Sequence, residues 1–188
     1  MAKAEYRSAI RSRRLILSAL ADLLEEKSLE KITVTDVVNR AQINRGTFYA
    51  HFSDIPDVIN RLIQHSFDSI RDVLSTQHQS ISGAAHALLT QVQHLLEEDP
   101  EFCSKILNSS AAPLMQEQLV EFVIDYMLQN REYFSTADSE KYELAIRFGA
   151  GGLSNLYRDW FAGKLPYTLE ELTQIGEKLL LQVTRDIE

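Results

Sequence analysis

Thr33-Val34-Thr35-Asp36-Val37-Val38-Asn39-Arg40-Ala41-Gln42-Ile43-Asn44-Arg45-Gly46-Thr47-Phe48-Tyr49-Ala50-His51-Phe52 reads as two short helices joined by a tight turn. Thr33 can accept from the backbone N–H of Asp36, and Asp36 suits the positive end of a helix dipole, so a helix opens here and runs to Ala41. Gln42-Ile43 makes the turn. Asn44 is a good N-cap for a second helix over Arg45–His51. Val34, Val37, Val38, Ile43 and Phe48 supply a small core against Leu17, Ala21 and Leu24 of a preceding helix. Two helices crossed this way form the unit whose second member enters the major groove of duplex DNA.

That second helix leaves a different set exposed. Arg45 and Thr47 stand in its first turn, where arginine can bond guanine bidentately and a threonine methyl suits thymine. Asn44 stands with them at the helix start. Gly46 lets the backbone approach closely. Tyr49 and His51 can donate to phosphates, and Thr33 and Thr35 open the preceding helix, whose free N–H groups favour an anion. An ordinary surface helix with one arginine and an aromatic pair has the same spacing, so spacing alone leaves both readings open.

Outward from this stretch the pattern is helical. The chain has seven Gly and four Pro, with no alternating β-branched run of strand length. A first helix is expected over Tyr6–Lys27, with Ile10, Leu17, Leu20, Ala21 and Leu24 inward. Asp54 and Pro56 start a fourth helix reaching Thr76, and Gly83–Glu98 follows after a loop around His78–Ser82. Further helices begin at Asp99-Pro100 and at Pro113, and a long one covers Ser139–Ala162 before Gly163 and Pro166. Thr168-Leu169-Glu170-Glu171 is a capping box for the last, striped with Leu172, Ile175, Leu179, Val183 and Ile187. The expectation is an all-α fold of about nine helices: a helix-turn-helix domain over 1–55, then a helical bundle over 56–188.

The net charge of −8 speaks against a polyanion partner only as an average. Met1–Phe52 holds nine Lys/Arg against six Asp/Glu, and the remainder holds ten against twenty-one. A basic head on an acidic body favours DNA contact through the head. One cysteine, Cys103, builds no disulfide framework, and no apolar run reaches membrane-spanning length. A cytoplasmic protein without membrane contact is expected. His65, His78, His86 and His94 show no pairing at metal-ligand spacing, so no metal, cofactor or catalytic residue is expected.

The quoted stretch closely resembles the DNA-binding signature of TetR-family regulators, through its Gly-Thr-Phe-Tyr-x-His-Phe run after a Thr-x-x-x-Val helix. The resemblance covers Ser8–Leu62 strongly and the body only in length, helix number and plan. It implies a homodimer on a palindromic double-stranded DNA operator, with a pocket in the body for a small-molecule effector that the sequence does not name. Arg45, Gly46, Thr47, Tyr49 and His51 take DNA-contact positions, and Thr35 a phosphate contact. A repressor is the first reading and an activator the second; the alternative is a coactivator whose body binds a protein partner. Two departures stand out. The family often has Gly where this chain has Gln42, and a Lys at the start of the fourth helix where this chain reads Ser53-Asp54-Ile55-Pro56-Asp57.

Gly149-Ala150-Gly151-Gly152 lies inside a predicted helix, where three glycines cost roughly 3 kcal/mol against alanine. Close approach of another helix is the expected compensation; no strand precedes the cluster, so a phosphate loop does not fit. Gly149–Pro166 also resembles a branch of TetR-type C-terminal domains that includes activators of dihydroxyacetone-kinase operons. In the family the last two helices pair between subunits, which assigns Gly149, Gly152, Leu172, Ile175, Leu179 and Val183 to a dimer interface. The same stripe suits an internal core face. Tyr126, Met127, Phe148, Asn155 and Trp160 are the pocket candidates, with ordinary core packing as the other reading.

Overall fold

A computed structural model of the chain describes residues 2–76, 80–133 and 139–185. Among them are nine α-helices, two single 3-10 turns and no strand. The helices are α1 (Ala2–Glu26), α2 (Val34–Ala41), α3 (Arg45–Tyr49), α4 (Ile55–Ser75), α5 (Ile81–Glu98), α6 (Pro100–Leu107), α7 (Ala112–Gln129), α8 (Ser139–Phe161) and α9 (Leu169–Thr184). The expected all-α fold is thus observed. His78 and Ile187 lie outside the described residues.

The chain forms two compact units: one comprises everything through Gln64 together with Glu101–Pro113, the other the remainder. The partition falls inside α4, where the sequence places it near Ser53–Pro56. The helix is continuous, and both of its halves are apolar on one side: Val58, Ile59 and Ile63 in the first unit, Phe67, Ile70 and Leu74 in the second are all buried.

In the first unit α1 packs on α2 and α3. Its buried stripe is Ile16, Ala19, Leu20, Leu23 and Leu24, and the opposing apolar set is Val37, Val38, Phe48 and Phe52. Each such side chain, fully buried, contributes about 1.5–3 kcal/mol. Ile10 is exposed, so the buried stripe begins later along α1 than its spacing suggests. Helix α6 joins this unit through buried Ile106 and through Lys105, whose Nζ lies 2.8 Å from Asp22, 2.9 Å from Glu101 and 3.7 Å from Glu25. Hydrogen bonds to Asp22 and Glu101 hold this ammonium well above the usual lysine range.

The second unit is centred on Ile70, Leu74, Ile81, Val123, Ile124, Met127, Tyr142 and Ile146. Tyr142 carries its hydroxyl into this core and donates to the Met127 carbonyl at 3.0 Å, which satisfies the one polar atom that burial would otherwise penalise. Burial pushes its phenol up to about 12. Helices α8 and α9 meet through a reciprocal key. A side chain at Gly149 would collide with Leu180, and a Cβ at Gly176 would lie 2.8 Å from Leu153. Residue number rises along α8 as it falls along α9, so the pair is antiparallel. Close helix approach at Gly149 is the compensation expected for a helix-interior glycine, whereas Gly151 and Gly152 have open space around them.

Candidate functional site

The two short helices are fixed by side chains that spend their polar atoms locally. Thr33 Oγ1 accepts from Asp36 N at 3.2 Å, and Asp36 Oδ2 accepts from Thr33 N at 2.8 Å, completing the capping box. Lys27 Nζ adds an ion pair at 2.8 Å. With Lys27 and Thr33 donating to it, the Asp36 carboxyl sits far below the ordinary carboxylate range. Gln42 closes α2 in the left-handed region at φ 54°. It is the only non-glycine there among the described residues. The chain keeps the turn that glycine usually makes and accepts a cost of about 1–2 kcal/mol for the Cβ.

Asn44 caps α3: its Oδ1 accepts from Thr47 N at 2.7 Å and from the Thr47 hydroxyl at 3.1 Å. A Cβ at Gly46 would lie 3.2 Å from that same oxygen, so glycine keeps the cap uncrowded. Helix α3 ends at Tyr49, one turn's half short of His51, because Ala50 and His51 already belong to the turn toward α4.

On this frame Thr35, Arg45, Gly46 and Tyr49 form an exposed edge of α2 and α3. Arg45 Nη2 donates to the Thr35 hydroxyl, so Thr35 steadies the guanidinium while most of its N–H groups stay available. Tyr49 is 54% exposed and meets Phe48 edge-on at 5.5 Å. Thr33 and Asn44 lie on the same edge, but their side-chain oxygens serve the caps. Thr47 is half-buried. His51 is half-buried too, its Nε2 2.7 Å from Ser12 Oγ on α1. Sequence periodicity had no means of finding Ser12, because the contact spans 39 positions. It also missed Arg13 and Arg61, whose guanidiniums lie 5.9 and 5.6 Å from the Phe52 ring centre. At the start of α4, Asp54 Oδ1 accepts from Asp57 N and Asp57 Oδ2 accepts from Ser53 N. The helix thus caps itself with its own carboxylates, and Ser53–Asp57 offers no cation.

In the second unit a cavity of about 40 Å³ is lined by apolar side chains including Leu74, Ile81, Val123, Met127, Ile146 and Leu180. Its one polar neighbour, Thr184, donates its hydroxyl to the Leu180 carbonyl at 3.0 Å. Of the pocket candidates only Met127 lines it. Phe148 is 71% exposed and Asn155 faces solvent. Tyr126 is half-buried, as is Trp160, whose Nε1 donates to the Tyr167 carbonyl at 2.6 Å. Of the interface candidates, Gly149 and Leu172 are internal packing and Val183 is half-buried, whereas Gly152, Ile175 and Leu179 are exposed. The stripe runs along the border of the buried face of α9, which is formed by Leu172, Thr173, Gly176, Leu180 and Thr184. Leu144, 68% exposed, extends the outward face of α8 and was not foreseen. Among the described residues no group of three potential metal ligands converges; His86 pairs with Glu177 at 3.0 Å and His94 lies 3.9 Å from Glu98.

A capped, crossed helix pair presenting an arginine on its outer edge defines the class as a helix-turn-helix protein that meets duplex DNA. Residues 16–62 match the model of the bacterial regulatory proteins of the tetR family, and residues 83–182 match a TetR-type model described as a transcriptional regulator C-terminal region. The chain belongs to the TetR family of DNA-binding transcriptional regulators. The proteins it matches are regulators and not enzymes. The uncharacterized HTH-type regulator YvdT of Bacillus subtilis is 37% identical over 60 residues, which are 30% of this chain and 31% of that protein. The chain therefore spans about a third of that relative's length. The dhaKLM operon transcriptional activator DhaS of Lactococcus lactis is 25% identical over 183 residues, 94% of this chain and 93% of DhaS. The solved structure of a dihydroxyacetone kinase operon activator DhaS superposes with a TM-score of 0.65 at 19% identity, over 94% of this chain and 98% of that one. The fatty acid degradation regulator FadR from Bacillus halodurans gives 0.64 at 19% identity, over 90% and 94%. Whole-chain similarity to DhaS agrees with the resemblance of Gly149–Pro166.

Proposed function

We propose that the chain is a cytoplasmic homodimer that reads a palindromic DNA operator through the Thr35–Arg45–Tyr49 edge of each protomer and changes transcription when an effector binds the body. The carrying observation is Arg45: exposed, in the first turn of α3, and held by Thr35. A guanidinium steadied in this way retains the fork that pairs with a guanine edge. Homodimerisation is supported by the outward stripes of α8 (Leu144, Phe148, Gly152, Asn155) and α9 (Ile175, Leu179), all of which are exposed among the described residues. A single half-site contact is also too small for useful specificity. The effector reading rests on the apolar cavity beside Met127, which at about 40 Å³ must widen to admit more than a small apolar group.

Repression is the simplest outcome of operator occupancy. Activation is the second reading, favoured by the whole-chain relative DhaS, which is named an activator. Operator selection from a randomised duplex pool, followed by titration of wild type and Arg45→Ala, tests the core of the proposal. The variant is expected to lose about 1–3 kcal/mol on the selected site and almost nothing on unrelated DNA. Equal binding of both sites by the wild type overturns it. A reporter downstream of the selected site then separates repression from activation by the sign of the change.

A further inference from the structure

We infer that Arg13, on α1, supplies a phosphodiester contact beside the start of α4, where acidic residues cap the helix. This rests on the DNA-binding reading above. The start of α4 offers no cation: Asp54 and Asp57 serve its own N-terminal amides. Positive charge reaches that neighbourhood from elsewhere. The guanidiniums of Arg13 and Arg61 both lie within 6 Å of the Phe52 ring centre, one from α1 and one from α4. Phe52 is 1% exposed and fixed in the core of the unit, so it is a rigid platform. Arg61 is already neutralised by Asp57, at 3.0 Å. Arg13 makes no ion pair among the described residues, is exposed, and rests over the Phe52 ring. An arginine resting on an aromatic ring keeps all five N–H donors and its full charge, in an orientation already restricted before any anion arrives.

The position fits a phosphate and not a base edge. Ser12, the residue before Arg13, bonds His51, and His51 follows the α3 edge by two residues. Arg13 therefore flanks the reading edge on the α1 side and lies outside the first turn of α3, which reaches bases. A phosphate contact there orients the head on the duplex without adding sequence preference.

The test is the salt dependence of DNA affinity for the full chain, comparing wild type, Arg13→Gln, Arg13→Lys and Lys164→Gln. Each phosphate neutralised on duplex DNA contributes about 0.9 to the slope of log K against log salt. Arg13→Gln is expected to lower the slope by roughly that amount per bound protomer and to weaken operator and unrelated DNA by the same factor. Arg13→Lys should keep the slope. Lys164→Gln makes the same charge change in the second unit and should leave the slope at the wild-type value. A wild-type slope in Arg13→Gln, a loss equal to that of Lys164→Gln, or a loss confined to the operator overturns the inference. If wild type itself shows no salt-dependent DNA binding, the DNA-binding reading fails instead. Arg13 is exposed, and an unchanged melting curve confirms that the variant is folded.

Discussion

At the residue scale, two positions decide how the reading unit is held. Thr33 and Asp36 exchange hydrogen bonds across the first turn of α2, and Lys27 braces the carboxylate. The folded carboxyl is held far below its ordinary value of 3.8, so the unfolded state binds its proton more readily. Its contribution to stability is complete above about pH 3.8 and fades as pH falls through the lower folded value. Thr33→Ala should lower stability by about 1 kcal/mol at neutral pH. It should also flatten the acid limb of a stability–pH curve measured by denaturant titration; an unchanged limb would show that Lys27 alone sets the shift. Gln42 gives the opposite sign. Gln42→Gly removes the Cβ penalty of about 1–2 kcal/mol and adds about 0.5–1 kcal/mol of unfolded-state entropy, so stability should rise by up to about 1.5 kcal/mol. A lower midpoint would mean that the Gln42 side chain has a role of its own. The Thr33 capping box and the Asn44 N-cap were legible in the sequence, because each is a pattern within four residues. The Ser12–His51 bond and the arginines on Phe52 were not, because they depend on where helices cross.

At the element scale the same contrast explains the glycines of α8. The sequence shows an expense inside a helix and implies a close neighbour, but it does not say which glycine meets it. Gly149 meets Leu180, and the matching Gly176, beneath Leu153, drew no attention because one glycine in a helix carries little signal. Leucine at position 149 has no space to enter, so Gly149→Leu should cost about 1–3 kcal/mol through overpacking between α8 and α9. Gly151 has open space around it. Gly151→Ala should therefore stabilise by up to about 1 kcal/mol through helix propensity alone. Chemical unfolding of the two variants checks both signs at once. Stabilisation by Gly149→Leu would mean that α8 and α9 are not locked by this key. Leu172 and Leu179, two turns apart on nearly the same side of α9, are buried and exposed respectively, because they lie at the border of the face that packs inward through Thr173, Gly176, Leu180 and Thr184; residue type alone does not locate that border.

At the scale of the whole molecule the open question is what covers the outward face of α8 and α9. Phe148 and Leu144 are 71% and 68% exposed, and Leu179 is 45% exposed. Fully burying an aliphatic or aromatic side chain contributes about 1.5–3 kcal/mol, so their residual exposure leaves several kcal/mol to be recovered by association. The apolar residues recur at helical spacing on adjacent antiparallel helices, so the face can pair with a copy of itself. Phe148→Asp tests this without touching the protomer's core, since an exposed substitution is worth within about 0.5 kcal/mol to the fold. Light scattering is expected to give twice the 21.4 kDa chain mass for wild type and the mass of one chain for this variant. Affinity for the selected palindrome should fall at least tenfold as two half-sites bind independently, while weak binding to unrelated DNA persists per protomer. A variant that stays dimeric and keeps its operator affinity would assign the face to another partner, and the palindrome would have to be bridged by some other surface.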